Sequence, residues 1–321
     1  YSFDAKMDEL AQKSLQLFRA ELAARYPWKS SRKRFDMADF RGDSAAFTRE
    51  YPVVLSTTYS IKGTLSTDHI YDYLIVDEAS QVDLATGVLA FSCAQNIVIV
   101  GDLKQLPNVL TEHDIRTSDA IWQTYSLEER YHFSAHNLLS SALETWQTAP
   151  VTLLREHYRC HPKIINFCNQ KFYHGQLIVM TKDHDELDVL ALYRTVAGNH
   201  ARGHINQRQI DVIRQEVLPR LNQHNHQSIG VITPYRDQVN ALHRQLGDAC
   251  VVDTVHKFQG REQDAIILTS VDNVITDFVD DPHMLNVAVS RAVHSLTVIT
   301  SQDPRNDRTN YGDLARYIEY N

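Results

Sequence analysis

Two stretches decide the fold: Tyr73-Leu74-Ile75-Val76-Asp77-Glu78-Ala79-Ser80 and, further along, Asn96-Ile97-Val98-Ile99-Val100-Gly101-Asp102. Each is a short, continuous apolar run that ends in acidic residues. Such a run predicts a strand buried on both faces of a parallel sheet. In open α/β sheets, ligand chemistry sits just past the carboxyl ends of the strands. Adjacent acids at that place suit a nucleotide-bound magnesium ion and an attacking water. The pattern points to nucleoside-triphosphate chemistry.

Working outward, Val53-Val54-Leu55 predicts a strand leading into Ser56-Thr57-Thr58-Tyr59, with helical crossovers between the early strands. The polar and aromatic stretch from Thr111 to Pro150 is expected to be mostly helical. A second set of strands is predicted at Val189–Leu192, Ile229–Thr233, Val251–Asp253, Ile266–Thr269 and Leu296–Thr300. Between the first two of these, Asn206 can cap a helix, with Gln209 as its capping-box partner, that runs to Leu218 and stops before Pro219. Residues 4–25 place Leu10, Leu15, Leu17, Phe18 and Leu22 on an approximate helical stripe ending before Pro27, followed by the basic loop Lys29–Phe35. The chain is thus expected to be α/β, with two parallel-sheet lobes meeting near Ala149-Pro150.

A length of 321 residues allows about two domains with a sizeable core. A hydrophobic share of 43% and a charged share of 22% fit a soluble globular chain. No apolar run approaches the ~20 residues that span a bilayer, and no leader resembles a signal peptide. Four scattered cysteines (Cys93, Cys160, Cys168, Cys250) suit free thiols in a reducing cytosol, so a cytoplasmic location is expected. Cys93 reads as core. A net charge of −8 excludes a uniformly basic coat but leaves room for a local basic groove. The sixteen histidines include a cluster at His200, His204, His224 and His226. The nearest approach to a zinc set, His157, Cys160, His161 and Cys168, has the spacing of no structural zinc motif.

One expected feature is missing. A phosphate-cradling loop needs Gly-x-x-x-x-Gly-Lys-Ser/Thr at the start of a helix. None of the eleven glycines is followed by lysine, and Lys62-Gly63-Thr64 has the order reversed. Either the nucleotide site is degenerate or the chain is a piece of a longer one; Tyr1 in place of methionine favours the piece.

Six motifs then carry a resemblance. Asp77-Glu78-Ala79-Ser80-Gln81 is similar to a Walker B motif, and Gly101-Asp102-Leu103-Lys104-Gln105-Leu106-Pro107 to helicase motif III. His157-Tyr158-Arg159-Cys160-His161-Pro162 and Ile232-Thr233-Pro234-Tyr235 resemble the elements that open and continue a second motor lobe. Val255-His256-Lys257-Phe258-Gln259-Gly260-Arg261-Glu262 resembles motif V, and Leu285-Asn286-Val287-Ala288-Val289-Ser290-Arg291-Ala292 motif VI. In this order, over roughly residues 51–300, they resemble the AAA/RecA-like motor region of superfamily 1 helicases of the B type, motifs II to VI, without the phosphate loop.

The resemblance implies two RecA-like parallel-sheet lobes with ATP between them, the first incomplete. It implies residues 1–50 as a helical tail of an upstream insertion, 51–150 as a partial first lobe and 151–321 as the second. Asp77 would hold Mg²⁺ and Glu78 would orient and deprotonate the attacking water. Gln105 would sense the γ-phosphate, and Arg159 and Arg291 would act as arginine fingers. Tyr158 would stack on adenine, Gly260 would let backbone approach phosphate, and Glu262 would reach the ribose or the opposing lobe. Thr57, Thr58, Thr233, Tyr235, Thr254 and His256 would hold single-stranded nucleic acid by its backbone, DNA or RNA.

The chain is therefore expected to be a fragment of an ATP-dependent helicase or translocase moving 5′→3′. It would be inactive by itself, with an upstream part of the same protein supplying the phosphate loop. The rival expectation is a degenerate, non-enzymatic nucleic-acid clamp or protein-interaction module. Loss of the loop favours that rival, whereas keeping both acids and both arginines opposes it. A metal-dependent nuclease built on Asp77 and Glu78 lacks the further acid-and-lysine pattern it would need.

Overall fold

The computed structural model describes residues 3–27, 33–186, 188–197, 201–223, 228–301 and 308–321. Most of the basic loop, together with His200, His224 and His226, lies outside these. The chain divides into two compact units, Tyr1–Leu74 with Leu89–Asn96, and Ile75–Val88 with Ile97–Asn321.

The smaller unit opens with helix α1 (Phe3–Arg25), and its stripe of Leu10, Leu15, Leu17, Phe18 and Leu22 faces solvent. Short helices α2 (Met37–Gly42), α3 (Ser44–Glu50) and α4 (Ile61–Thr64) follow. Asp36 caps α2 in a reciprocal box with Asp39, and the Arg41 guanidinium donates to the Gly63 carbonyl at 2.6 and 3.0 Å, tying α2 to α4. The strand expected at Val53–Leu55 is absent. These residues are irregular, with Leu55 92% exposed. An apolar run becomes a strand only where a neighbouring strand accepts its backbone bonds, and none of the described residues pairs with it.

Strand β1 (Tyr71–Val76), helix α5 (Leu84–Phe91) and strand β2 (Ala94–Ile99) come next. The strands pair in the same sense: Tyr71 N–H donates to the Cys93 carbonyl at one end and Val100 N–H to the Val76 carbonyl at the other, both at 2.8 Å. Ile61, Ala90 and Cys93 form a small core beneath Tyr71 and Leu74, so Cys93 is core as expected. Burial on both faces is not found here. Tyr73 and Ile75 are each 67% exposed, because a two-stranded sheet with one small cluster has too few neighbours to cover it.

The larger unit continues with α6 (Glu112–Tyr125) and α7 (Leu138–Thr145), which bear out the helical reading of residues 111–150, followed by β3 (Glu156–His157), α8 (Pro162–Phe172) and β4 (Ile178–Val179). Its centre is a five-stranded sheet. After β5 (Leu190–Arg194) come a small hairpin, β6 (Ala201–Arg202) and β7 (Ile205–Asn206), and then α9 (Gln207–Val212) and α10 (Leu218–Gln223). The remaining elements are β8 (Ile229–Thr233), α11 (Arg236–Leu246), β9 (Val251–Thr254), α12 (Val255–Phe258), β10 (Gln263–Thr269), α13 (Pro282–Val289), β11 (Ala292–Thr300) and α14 (Asn310–Tyr320). The strand order is β5-β11-β10-β8-β9, and every pairing is parallel.

This sheet is buried as the apolar runs require. Along β10, Ile266 and Leu268 enter the core formed with Ile164, Phe167, Leu285 and Leu314, while Ala265 and Ile267 enter the core formed with Ile210, Val217, Val239 and Leu242. The two-residue side-chain period sends alternate residues to opposite faces, and helices cover both. The fold class is mixed α/β with parallel sheets.

One helix departs from expectation. Asn206 does cap it, accepting from Gln209 N–H at 3.1 Å, but the chain stays helical through Pro219. A π-helical turn at Ile213–Val217 widens the helix just before the proline. That gives the ring room where its missing N–H breaks the ladder. The Gln209 side chain turns inward instead of closing the capping box, and Gln238 Oε1 accepts the Asn206 N–H in its place.

Candidate nucleotide cleft and nucleic-acid face

Parallel strands give a sheet two different ends, and within the larger unit the predicted residues sort between them. Arg291 immediately precedes β11, Glu262 immediately precedes β10, and Gln263 N–H donates to the Arg291 carbonyl at 3.1 Å. The segment carrying His157, Arg159 and Cys160 docks at the same entry end, because His161 N–H donates to the Val293 carbonyl at 2.7 Å.

The acidic turns join this cluster. Glu78 sits in the left-handed region at φ 51°, which a non-glycine residue holds only when its surroundings impose it. Its Oε2 accepts from Gln81 and Gln259, both at 3.3 Å. Asp77 remains exposed; its Oδ1 accepts from Glu78 N–H at 2.9 Å, leaving a carboxylate oxygen of the kind that suits Mg²⁺ or a magnesium-bound water. Gly101 explains how the two turns lie side by side. A Cβ there would stand 3.1 Å from Ala79 N and 3.2 Å from Ser80 N. Asp102 accepts from Gln105 Nε2 at 3.2 Å and from the Tyr173 hydroxyl at 2.6 Å. Asn286 Nδ2 donates to the Lys104 carbonyl and to the Tyr173 oxygen, both at 2.8 Å. Burial, then Asp102, hold the Tyr173 phenol above its ordinary pKa, so it stays a donor.

The electrostatics are unbalanced in one place. Arg291 is 5% exposed, and among the described residues its guanidinium donates to the Val287 carbonyl at 3.3 Å and the Ser290 hydroxyl at 3.4 Å. Among the described residues it has no carboxylate ion pair. Burial, then the like charge of Arg159, push its pKa down; Glu78 and Glu262 act the other way. Arg159 itself is paired with Glu262. His157 is driven to about 4 by burial and by both arginines, and its Nε2 accepts from Cys160 N–H at 2.9 Å, so it is neutral. Burial pushes the Cys160 thiol up to about 12. A buried cation without a carboxylate ion pair is costly, and this one lies beside a second cation.

Gly260 has φ +74° with open space beyond it, a conformation that favours glycine. Tyr158 is exposed, its hydroxyl bonded to Glu156. Thr233 and Thr254 are register partners at the exit end of β8 and β9, with Tyr235 and His256 just beyond. Thr233 Oγ1 is buried with no partner. Thr57 and Thr58 belong to the smaller unit, where Thr57 Oγ1 accepts from Ser60 N–H at 3.1 Å. Sequence reading passed over Gln259, Asn286 and His157 as site residues although all three lie inside quoted motifs. Nothing in the sequence marked Tyr173.

His161, Asp183 and Glu186 bring ligand atoms within 4.8 Å of one another. However, His161 Nδ1 accepts from Lys163 N–H at 3.1 Å, so the proton sits on Nε2 and is donated toward Glu186 and Asp183. The cluster reads as a helix cap held by two carboxylates. Among the described residues no helix is long and apolar enough to cross a membrane.

The fold is a mixed α/β one with parallel sheets, and the larger unit carries paired acids, a glutamine and two arginines on the turns beside its entry end. Residues 135–303, more than half of the chain, match an AAA-domain family, residues 5–112 match a second AAA-domain model, and the chain belongs to this family. An uncharacterized ATP-dependent helicase of Caenorhabditis elegans is 28% identical over 84% of this chain and 18% of its own length. The 5'-3' DNA helicase ZGRF1 of Mus musculus is 26% identical over 87% of this chain and 15% of its own. The chain thus spans less than a fifth of these relatives. A solved helicase structure from PRRSV covers 73% of this chain at 17% identity and a TM-score of 0.39.

Proposed function

We propose that this chain is part of the motor of an ATP-dependent helicase or translocase acting on single-stranded nucleic acid. The observation that carries the reading is Arg291, a buried guanidinium with no carboxylate ion pair among the described residues, with Arg159 and Glu78 near it. A bound polyphosphate would give that guanidinium the anionic partner it does not have. Phosphoryl transfer to water is mostly positioning and charge neutralisation. Glu78 would orient and deprotonate the water, Asp77 would hold Mg²⁺, and Gln105 would sense the γ-phosphate from the Asp102–Tyr173–Asn286 anchor. Arg159 exchanges Glu262 for phosphate when nucleotide enters. Gly260 gives the backbone its approach, and Tyr158 supplies an exposed ring for adenine. An upstream part of the same protein provides the phosphate loop, so this chain alone does not turn over ATP.

Thr233, Tyr235, Thr254 and His256, at the opposite end of the sheet, grip the strand; Thr57 and Thr58 belong to the same set. The experiment is nucleic-acid-stimulated ATPase in the protein extended upstream to its Gly-Lys-Thr/Ser loop. Turnover that needs Glu78 and Arg291 supports the reading. Turnover unchanged in both Glu78→Gln and Arg291→Ala sinks it. Steady hydrolysis by this chain alone, lost in Glu78→Gln, shows instead a substitute phosphate site.

A further inference from the structure

At the exit end of β8 the Tyr235 ring is stacked on two others. His204 lies 4.2 Å away, centroid to centroid, and Phe278 lies 5.5 Å away, each inclined by 29°. Phe278 leaves 51% of its surface in solvent. Three separate segments supply these rings: the β6–β7 turn, the start of α11, and the loop between β10 and α13.

Two of the rings are held by specific devices. Gly203 and His204 both have positive φ, 54° and 60°, as a two-residue hairpin turn matching strand twist requires, and that turn presents the imidazole. The Tyr235 hydroxyl donates to Asp272 at 2.5 Å. Asp272 is aimed there by a strained link. Val271 has φ 66°, and Asp272 N–H donates back to the Ser270 carbonyl at 2.8 Å, closing a γ-turn on a β-branched residue. Two buried amides clamp it, with Val271 N–H donating to Gln209 Oε1 at 3.0 Å and Asn206 Nδ2 donating to the Val271 carbonyl at 2.7 Å. Strain of this kind persists only where surrounding structure over-determines it, and it gathers at functional sites. Here its product is a fixed ring.

We propose that His204, Tyr235 and Phe278 form a stacking platform for an unpaired base of single-stranded nucleic acid. The proposal rests on the nucleic-acid reading above and adds His204 and Phe278 to it. Base faces stack on aromatic rings without sequence preference. Asp272 and the exposed Asp277 flank the platform, so it takes the base and leaves the phosphates to the threonines.

The test is anisotropy of a labelled oligo-dT and of an abasic oligonucleotide of equal length, titrated with this chain across a salt series. Phe278→Ala weakens oligo-dT binding about tenfold, within the range for loss of one base–aromatic stack. It leaves the salt slope and abasic binding unchanged, and Phe278→Trp restores affinity. His204→Ala gives the same pattern and serves if Phe278→Ala does not fold. Undiminished oligo-dT binding by folded variants, or equal losses on both oligonucleotides, overturns the platform alone. No binding of either oligonucleotide by the unaltered chain overturns the nucleic-acid reading as well.

Discussion

The two ends of the five-stranded sheet are built from opposite chemistry. At the entry end, before β10 and β11, charges crowd together: Arg291 is buried without a carboxylate, Arg159 is tied to Glu262, and His157 is forced neutral between two cations. At the exit end, past β8 and β10, the working groups are rings and hydroxyls, with Asp272 and Asp277 beside them, set on a buried amide network around Gln209 and Asn206. A parallel sheet makes this separation natural, since every strand enters on one side and leaves on the other. The unpaired guanidinium distinguishes one end and the strained Val271 link beneath the stacked rings the other, and the proposed function gives each end its own ligand.

The sharpest way to break this comparison is at Arg291. In the protein extended upstream, Arg291→Ala is expected to lower ATP turnover by about 10³-fold or more. Oligonucleotide affinity stays where it was. A guanidinium buried beside a like charge gives little net stability, so Arg291→Met should melt no lower than the unaltered chain. A melting temperature that falls with unchanged turnover would make it a structural residue and remove the case for an anion site.

Gln209→Ala tests the exit end next. It strands the Val271 N–H in the core, and an unsatisfied buried donor costs about 1–3 kcal/mol. Chemical denaturation reads the loss, and weaker oligo-dT binding should accompany it in the folded fraction. Gly101→Ala probes the entry end by crowding. Its methyl would meet Ala79 N, Ser80 N and Leu139 within 3.1–3.2 Å, for a loss of about 1–3 kcal/mol. A neutral result would mean that the two acidic turns separate easily.

A further test is a pH dependence. His157 is held at about 4 in the folded chain against an ordinary 6.5. Between those values the unfolded chain binds more protons than the folded one, so stability is full above 6.5 and declines as pH falls toward 4. In His157→Gln, which keeps an acceptor for Cys160 N–H, the fall in melting temperature across that window should be shallower. A variant that melts in parallel with the unaltered chain at every pH removes His157 from the account.

Much of this was legible in the residues. The later apolar runs became β5, β8, β9, β10 and β11 to within a few positions because alternate residues of a buried strand all need apolar partners, and that demand is written locally. The same signature misread the earlier region. Val53–Leu55 formed no strand, and β1 and β2 kept exposed faces, because burial depends on neighbours that a run of residues cannot specify. Pro219 was misread for a related reason: a π-turn absorbed it, and helix widening leaves no local mark.

The residues alone fix where charge and aromatic rings lie along the chain, and the order of motifs whose resemblance assigns Asp77, Glu78, Gln105, Arg159 and Arg291 to one chemistry. Only the tertiary structure decided which of them stand alone. That Arg159 is paired and Arg291 is not, that Tyr173 reaches Asp102 across seventy-one positions of chain, and that His204 and Phe278 converge on Tyr235 all depend on contacts between distant segments. Side-chain type is a local property. Desolvation, pairing and stacking are set by whichever parts of the chain the packed sheet brings together.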